Sequence, residues 1–287
     1  MSVLLALAIA TQTVDPYQLD IGAPGKVAVH NNLISSKTGQ EVTVDQIAEA
    51  ADSFSYVLVG EQHATPAHHQ MQADLIRALH KRGRRVLVGM EMFTRDNQSN
   101  LFMLPAQRET VDEFFETSGW KTQWGHDFAA YRPVLEAVRE LKTPIIALNA
   151  PRDWVRRIGR EGASSLKPEE RAWVPEIRTD NENHRKVFAA LMGGHPMNGP
   201  QGENIYAAQV TWDTAMAKSA IDAKNARYGD KTVVVILAGI GHVMYGQAIN
   251  YRIKQMSGAD SLSVVCIRGG EATAVSRGLG NYIYQSP

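Results

Sequence analysis

Cysteine is nearly missing from this chain: of 287 residues only Cys266 carries a thiol, so it forms no intramolecular disulfide and builds no thiolate metal cluster of its own. Cys266 sits in the apolar run Ser263 to Ile267, the setting of a buried structural thiol rather than a nucleophile. An excess of either charge is missing too. Lys plus Arg number 30 and Asp plus Glu number 30, with no block of like charge, which argues against a nucleic-acid surface. No apolar run approaches the roughly 20 residues of a membrane-spanning helix. Nor is there a Gly-x-Ser-x-Gly elbow, a His-Glu-x-x-His helix or a phosphate loop. Gly239-Ile-Gly241 has Met244 where a dinucleotide fingerprint wants its third glycine, so a nicotinamide cofactor is not expected.

What is present is an alternation of strands and helices. Ser55 to Gly60, Val86 to Met90, Pro144 to Leu148, Thr232 to Ala238 and Leu262 to Ile267 read as buried parallel strands. Thr65-Pro66 opens a helix whose apolar positions Met71, Leu75, Ala78 and Leu79 keep helical spacing up to Gly83. Thr110 to Glu113 is a capping box, and Pro133 is expected to open a helix through Val134, Val138 and Leu141. Ser165 to Val174, Asp180 to Met192 and Glu203 to about Arg227 also read as helical, with a turn-rich loop from Gly193 to Pro200.

The expected fold is therefore α/β: a mainly parallel central sheet, helices on both faces, and a helical insertion at about 151–228 before the last two of these strands. Residues 25–287 form a single domain in this reading. Residues 1–24 read as an export-signal remnant, because Val3 to Ala10 is apolar and Ala8 and Ala10 are spaced as at a secretory cleavage site, although a basic start is missing. The alternative is an ordinary apolar N-terminal segment. The first reading places the protein outside the cytoplasm, in an envelope or periplasm; the second leaves the cytoplasm open.

In such a fold ligands bind beyond the carboxyl ends of the strands. Those ends read Gly60-Glu61-Gln62-His63, then Glu91, then Asn149-Ala150-Pro151, then Gly239-Ile240-Gly241-His242. Side chains alternate along extended chain, so Glu61 and His63 point the same way. Glu61, His63, Glu91 and His242 are the expected working groups of one pocket. His68 and His69 stand in the first turn of a helix, where a protonated ring would oppose the helix dipole, so neutral histidines are expected, with Gln72 in reach of either; a solvated polar face is the bland alternative. On the last long helix Tyr206, Gln209 and Asp213 share a stripe beside the apolar stripe Ile205, Ala208, Trp212, Ala215 and Ser219. The apolar stripe is expected to face the core, and Asp213 is the member of the polar stripe expected to reach the pocket.

Gly60-Glu-Gln-His63, His68-His69 with Gln72, Gly89 to Phe93, Asn149 to Pro151, Gln209 to Ala217 and Gly239 to Gly246, taken in order, resemble the ChaN-like haem-binding uptake family. The resemblance runs from Ser55 to Ile253. That family is similar to a wider superfamily including Tiki-type metal-dependent proteases, TraB-type proteins and erythromycin esterases. The resemblance implies a haem-binding envelope protein with a role in iron uptake, and a homodimer enclosing haem. Two departures stand out: no cysteine follows the apolar N-terminus, and Gln247 to Asn250 replace the Gly-Ile-Pro turn that commonly follows the last histidine.

Two mechanisms suit these residues. As a haem binder the protein needs an axial ligand, apolar walls and cations for the propionates. Tyr245, close after His242, and Tyr206 are candidate ligands, with His68, His69 and Asp213 as further cofactor-binding candidates. As a hydrolase of ester or peptide bonds, His63, Glu91 and His242 would hold zinc, manganese or cobalt, with Glu61 beside them. Haem binding tolerates loss of Glu61, whereas hydrolysis does not.

Overall fold

Alternate residues of the apolar strands go to opposite faces of one sheet. Val57, Val59, Val86, Val88, Val233 and Val235 lie in one apolar cluster, while Tyr56, Leu58, Leu87, Val234 and Ile236 lie in another. Strands buried on both faces read as unbroken apolar runs, which is why these segments were legible. Each fully buried Val, Leu or Ile contributes about 1.5–3 kcal/mol.

The computed structural model describes residues 14–193, 198–226, 229 and 231–287. In chain order the elements are β1 (Lys26–Val29), β2 (Leu33–Ser35), α1 (Val44–Ala50), β3 (Tyr56–Glu61), α2 (Pro66–Lys81), β4 (Arg85–Thr94), α3 (Val111–Thr117), α4 (Trp120–Gln123), α5 (Phe128–Glu140), β5 (Ile145–Asn149), α6 (Arg152–Glu161), α7 (Glu182–Leu191), α8 (Gly199–Asn225), β6 (Thr232–Gly239), α9 (Ile249–Ser257), β7 (Ser261–Arg268), β8 (Thr273–Ser276) and β9 (Tyr282–Ser286). Among the described residues the main sheet runs β2-β9-β7-β3-β6-β4-β5, and β1 pairs with β8. Among the described residues only the β2–β9 pairing of the main sheet is antiparallel. One face is covered by α1, α2 and α5, the other by α8 and α9. The expected α/β architecture is observed, and α6, α7 and α8 are the helices inserted between β5 and β6. Among the described residues no helix is long and apolar enough to cross a membrane.

Two local expectations are corrected. Pro133 does not open its helix: α5 starts at Phe128, where the Asp127 carboxylate accepts from the Ala129 N–H at 3.1 Å. The helix carries the proline because Tyr131, Val134 and Leu135 bury its inner face, offsetting one missing backbone bond. Ser165 to Val174 is not an α-helix but two 3₁₀ turns, Ala163–Ser165 and Pro168–Ala172. Pro168 keeps Lys167 extended, with φ −76° and ψ 153°, which breaks the helical run. The apolar run Val3 to Ala10 and the loop centre at 194–197 lie outside the described residues.

Candidate functional site

β3 ends at Glu61, and the turn that follows sets His63 beside it: His63 Nδ1 lies 3.0 Å from Glu61 Oε1. The turn to α2 is tight, with Ala64 in the left-handed region at φ 55°. Glu61 is fully enclosed. The Tyr131 hydroxyl donates to Oε1 at 2.8 Å, the Gln72 amide donates to Oε2 at 2.8 Å, and His69 Nδ1 stands 3.3 Å from Oε2. Burial works to raise the Glu61 pKa, but the hydrogen bond from His63 and its other partners outweigh it and hold the carboxyl below its ordinary value. Burial likewise opposes the charged form of His63, yet the bond to Glu61 and the charge of Glu91 raise its pKa. The His63 side chain keeps 32% of its surface exposed and packs edge-on against Trp124, ring centroids 4.8 Å apart.

His68 and His69 are both buried, so they do not form a solvated polar face. Desolvation lowers His68 to about 4 and lowers His69 as well. Gln72 holds His69, its Oε1 lying 3.0 Å from Nδ1. His68 is held instead by the Gln62 N–H, which donates to Nδ1 at 3.1 Å.

The ends of β4 and β6 build a second cluster. Glu91 Oε2 accepts from the Gly239 N–H at 2.6 Å, and its Oε1 faces His242 Nε2 at 3.4 Å. His242 Nδ1 lies 2.6 Å from Asp213 Oδ1 on α8, with the Gln209 amide nitrogen 3.1 Å away. Burial disfavours the charged imidazole, but Glu91 and Asp213 on either side push His242 up to about 10. The two carboxyls shift the other way. Burial would raise both; the His242 charge holds Glu91 down, and Arg252 with His242 holds Asp213 well below the carboxylate range. His242 thus stands between two carboxylates that favour its charged form. His184 Nε2, 3.2 Å from Asp213 Oδ2, and Arg252 Nη1, 3.8 Å away, complete the surround.

Gly239 lets the clusters touch. A Cβ there would stand 2.8 Å from His63 Cε1 and 2.9 Å from Nε2. Gly239→Ala is expected to push His63 off Glu61 and lower stability by about 1–3 kcal/mol, read as a fall in the denaturation midpoint at constant m-value.

Outside Glu91 and Gln209 opens a cavity of about 600 Å³. Met92, Trp124, Phe188, Met192, Ile205 and Trp212 give it apolar walls, and Arg152 and Arg156 from α6 add cations. Here part of each stripe of α8 departs from expectation, while Ala215 and Ser219 are buried as expected and Gln209 lines the cavity. Ile205, Ala208 and Trp212, expected against the core, are half-buried cavity wall, while Tyr206 and Asp213 are fully buried behind it.

The structure thus gathers Glu61, His63, Glu91, His242, His69 and Asp213, and leaves the two tyrosines aside. The Tyr206 hydroxyl is 2.9 Å from His184 Nδ1 and donates to the Asn181 carbonyl at 3.3 Å. Tyr245 turns away from His242 at φ 59°; its hydroxyl donates to the Pro16 carbonyl and accepts from the Leu19 N–H, both at 2.9 Å. Neither tyrosine lines the cavity. Among the described residues no group of three or more His, Cys, Asp or Glu, His63, Glu91 and His242 included, is placed to hold a metal ion. Sequence reasoning missed Tyr131, His184, Arg252, Arg152 and Arg156. Arg252 carried a signal: it shares the face of α9 with Ile249 and Ile253, all buried, and a charge there requires a partner.

Residues 47–253 match the family described as haem-binding uptake, Tiki superfamily, ChaN. Among solved structures, one of cofacial haem binding to ChaN of Campylobacter jejuni aligns with a TM-score of 0.67 at 19% identity, covering 88% of this chain and 94% of that one. The type III effector HopBA1 aligns with a TM-score of 0.51 at 11% identity, covering 85% and 92%. At these identities the likeness establishes the fold. No curated protein sequence matches the chain.

Proposed function

The chain belongs to the haem-binding uptake family of the Tiki superfamily that includes ChaN, and on that premise we propose that it binds haem in the cavity between β4, β5 and the inserted helices, in the service of haem or iron handling in the bacterial envelope. The observation that carries this reading is the cavity itself. Its volume of about 600 Å³ and its predominantly apolar wall suit a flat hydrophobic ligand. Trp124, Phe188 and Trp212 offer faces for a macrocycle, and Arg152 and Arg156 suit two carboxylates. Since no tyrosine or histidine lines the cavity among the described residues, Tyr206 and Tyr245 are set aside as iron ligands in this arrangement, and the thioethers of Met92 and Met192 are the donors the lining offers in their place. The envelope location draws on the apolar N-terminal run with Ala8 and Ala10, and a haem-enclosing homodimer on the family alone.

The test is haem affinity of the Arg152→Ala/Arg156→Ala double variant. Loss of both cations is expected to weaken binding about tenfold or more; unchanged affinity would place the propionates elsewhere.

Glu61 separates this reading from the metallohydrolase. Its carboxylate accepts from Tyr131 and Gln72 in a closed site. Glu61→Gln turns one acceptor into a donor facing donors, so it is expected to cost about 1–3 kcal/mol of stability and leave haem affinity intact. Haem affinity that falls in step with a hydrolytic activity would favour the enzyme.

A further inference from the structure

We propose a second ligand site, separate from the haem cavity, that takes a small apolar carboxylate. A hollow of about 770 Å³ lies beside the edge strand β5, bounded by the turn after β4, by Trp173 and by the C-terminal half of α8. Its floor is apolar, from Leu101, Pro105, Pro144, Ile145 and Ile146. Phe102 forms part of the wall and leaves 56% of its surface exposed.

The strand edge is closed to another chain. The Gln98 side chain donates to the Ile145 carbonyl at 2.9 Å and accepts from the Ala147 N–H at 2.8 Å, occupying the bonds that an added strand would use. The hollow therefore suits a ligand that brings hydrocarbon to the floor rather than a peptide backbone.

Two polar groups in the lining have unmet hydrogen-bonding capacity. Arg95 Nη2 donates to Asp222 at 2.8 Å and its guanidinium carbon lies 5.3 Å from the Trp173 ring centroid, but Nη1 is buried with no hydrogen-bond partner among the described residues. Ser219 is 3% exposed, and its hydroxyl likewise has no partner among the described residues. Elsewhere on α8, Thr211 and Thr214 return their hydroxyls to carbonyls four residues back at 2.8 and 2.7 Å. Ser219 makes no such bond among the described residues, which leaves a buried donor in the lining unsatisfied. Lys218 also pairs with Asp222, at 2.5 Å, and Lys142 stands in the lining. Arg95, Lys218 and Lys142 against Asp222 leave an excess of positive charge. Free donors, net positive charge and an apolar floor together specify a monoanion with a hydrocarbon or aromatic body.

Isothermal titration of the full chain with octanoate, and with 1-octanol as its uncharged counterpart, tests the proposal. A parallel series carries Ile205→Asp, which puts a carboxylate in the wall of the haem cavity. Octanoate is expected to bind saturably, one per chain, with and without Ile205→Asp, and about tenfold or more tighter than octanol. Arg95→Met leaves Asp222 paired with Lys218, and should weaken octanoate about tenfold while leaving octanol unchanged. Phe102→Asp, at an exposed position, should abolish octanoate binding. The proposal is overturned by absence of saturable binding, by binding that Ile205→Asp removes and Phe102→Asp spares, or by an affinity indifferent to Arg95→Met.

Discussion

His242→Gln is expected to destabilise the protein by about 3–5 kcal/mol, the largest effect of any single change at the site. The substitution removes the cation between Glu91 and Asp213 and leaves both carboxylates buried. Arg252, 3.8 Å from Asp213, compensates in part. Urea unfolding measures the loss. A second substitution, Glu91→Gln in the His242→Gln background, should recover part of it, because one stranded charge disappears; a cost below about 1 kcal/mol would deny that His242 is charged. The pH profile has a definite sign. His242 is raised from 6.5 to about 10, so its contribution is complete below 6.5 and fades as pH rises toward 10. Glu91 and Asp213 are shifted down, so theirs is complete above the ordinary carboxylate range and fades in acid. The alkaline loss should be missing from His242→Gln.

Ile205→Asp is expected to reduce haem affinity by at least about 100-fold with the fold retained. In the free protein the new carboxylate sits on a half-buried position facing the cavity and keeps its water. A macrocycle laid on that wall would strip the water from an unpaired charge, at a cost of several kcal/mol. Ile205→Leu, which preserves the apolar wall, should bind like the parent. Equal affinities in the two variants would move haem out of this cavity.

Much of the architecture was written in local sequence. β3, β4, β5, β6 and β7 are apolar on both faces, and α2, α7 and α8 keep helical spacing. β1, β2, β8 and β9 went unread because they are short and mix polar with apolar residues; pairing with distant chain makes them strands. The same division holds at the site. The Glu61–His63 contact joins residues two apart, at a strand end and in the turn after it. Tyr131 joins Glu61 across 70 residues of sequence, and on an amphipathic helix it looks like any core aromatic. Arg152 and Arg156 look like the solvated face of α6 until the inserted helices make that face the rim of a cavity. Tyr245 misled in the opposite way: nearness to His242 in sequence suggested a shared pocket, but its left-handed backbone sends the hydroxyl to the segment Pro16 to Leu19.

The most direct test of the account is a haem titration of the purified chain followed by Soret absorption, with total metal measured by mass spectrometry and Ile205→Asp and Glu61→Gln run alongside. A saturable Soret shift that survives Glu61→Gln and is lost in Ile205→Asp is the predicted result. No saturable shift, together with a stoichiometric divalent metal that Glu61→Gln releases, would contradict haem binding and make the strand-end cluster a metal centre.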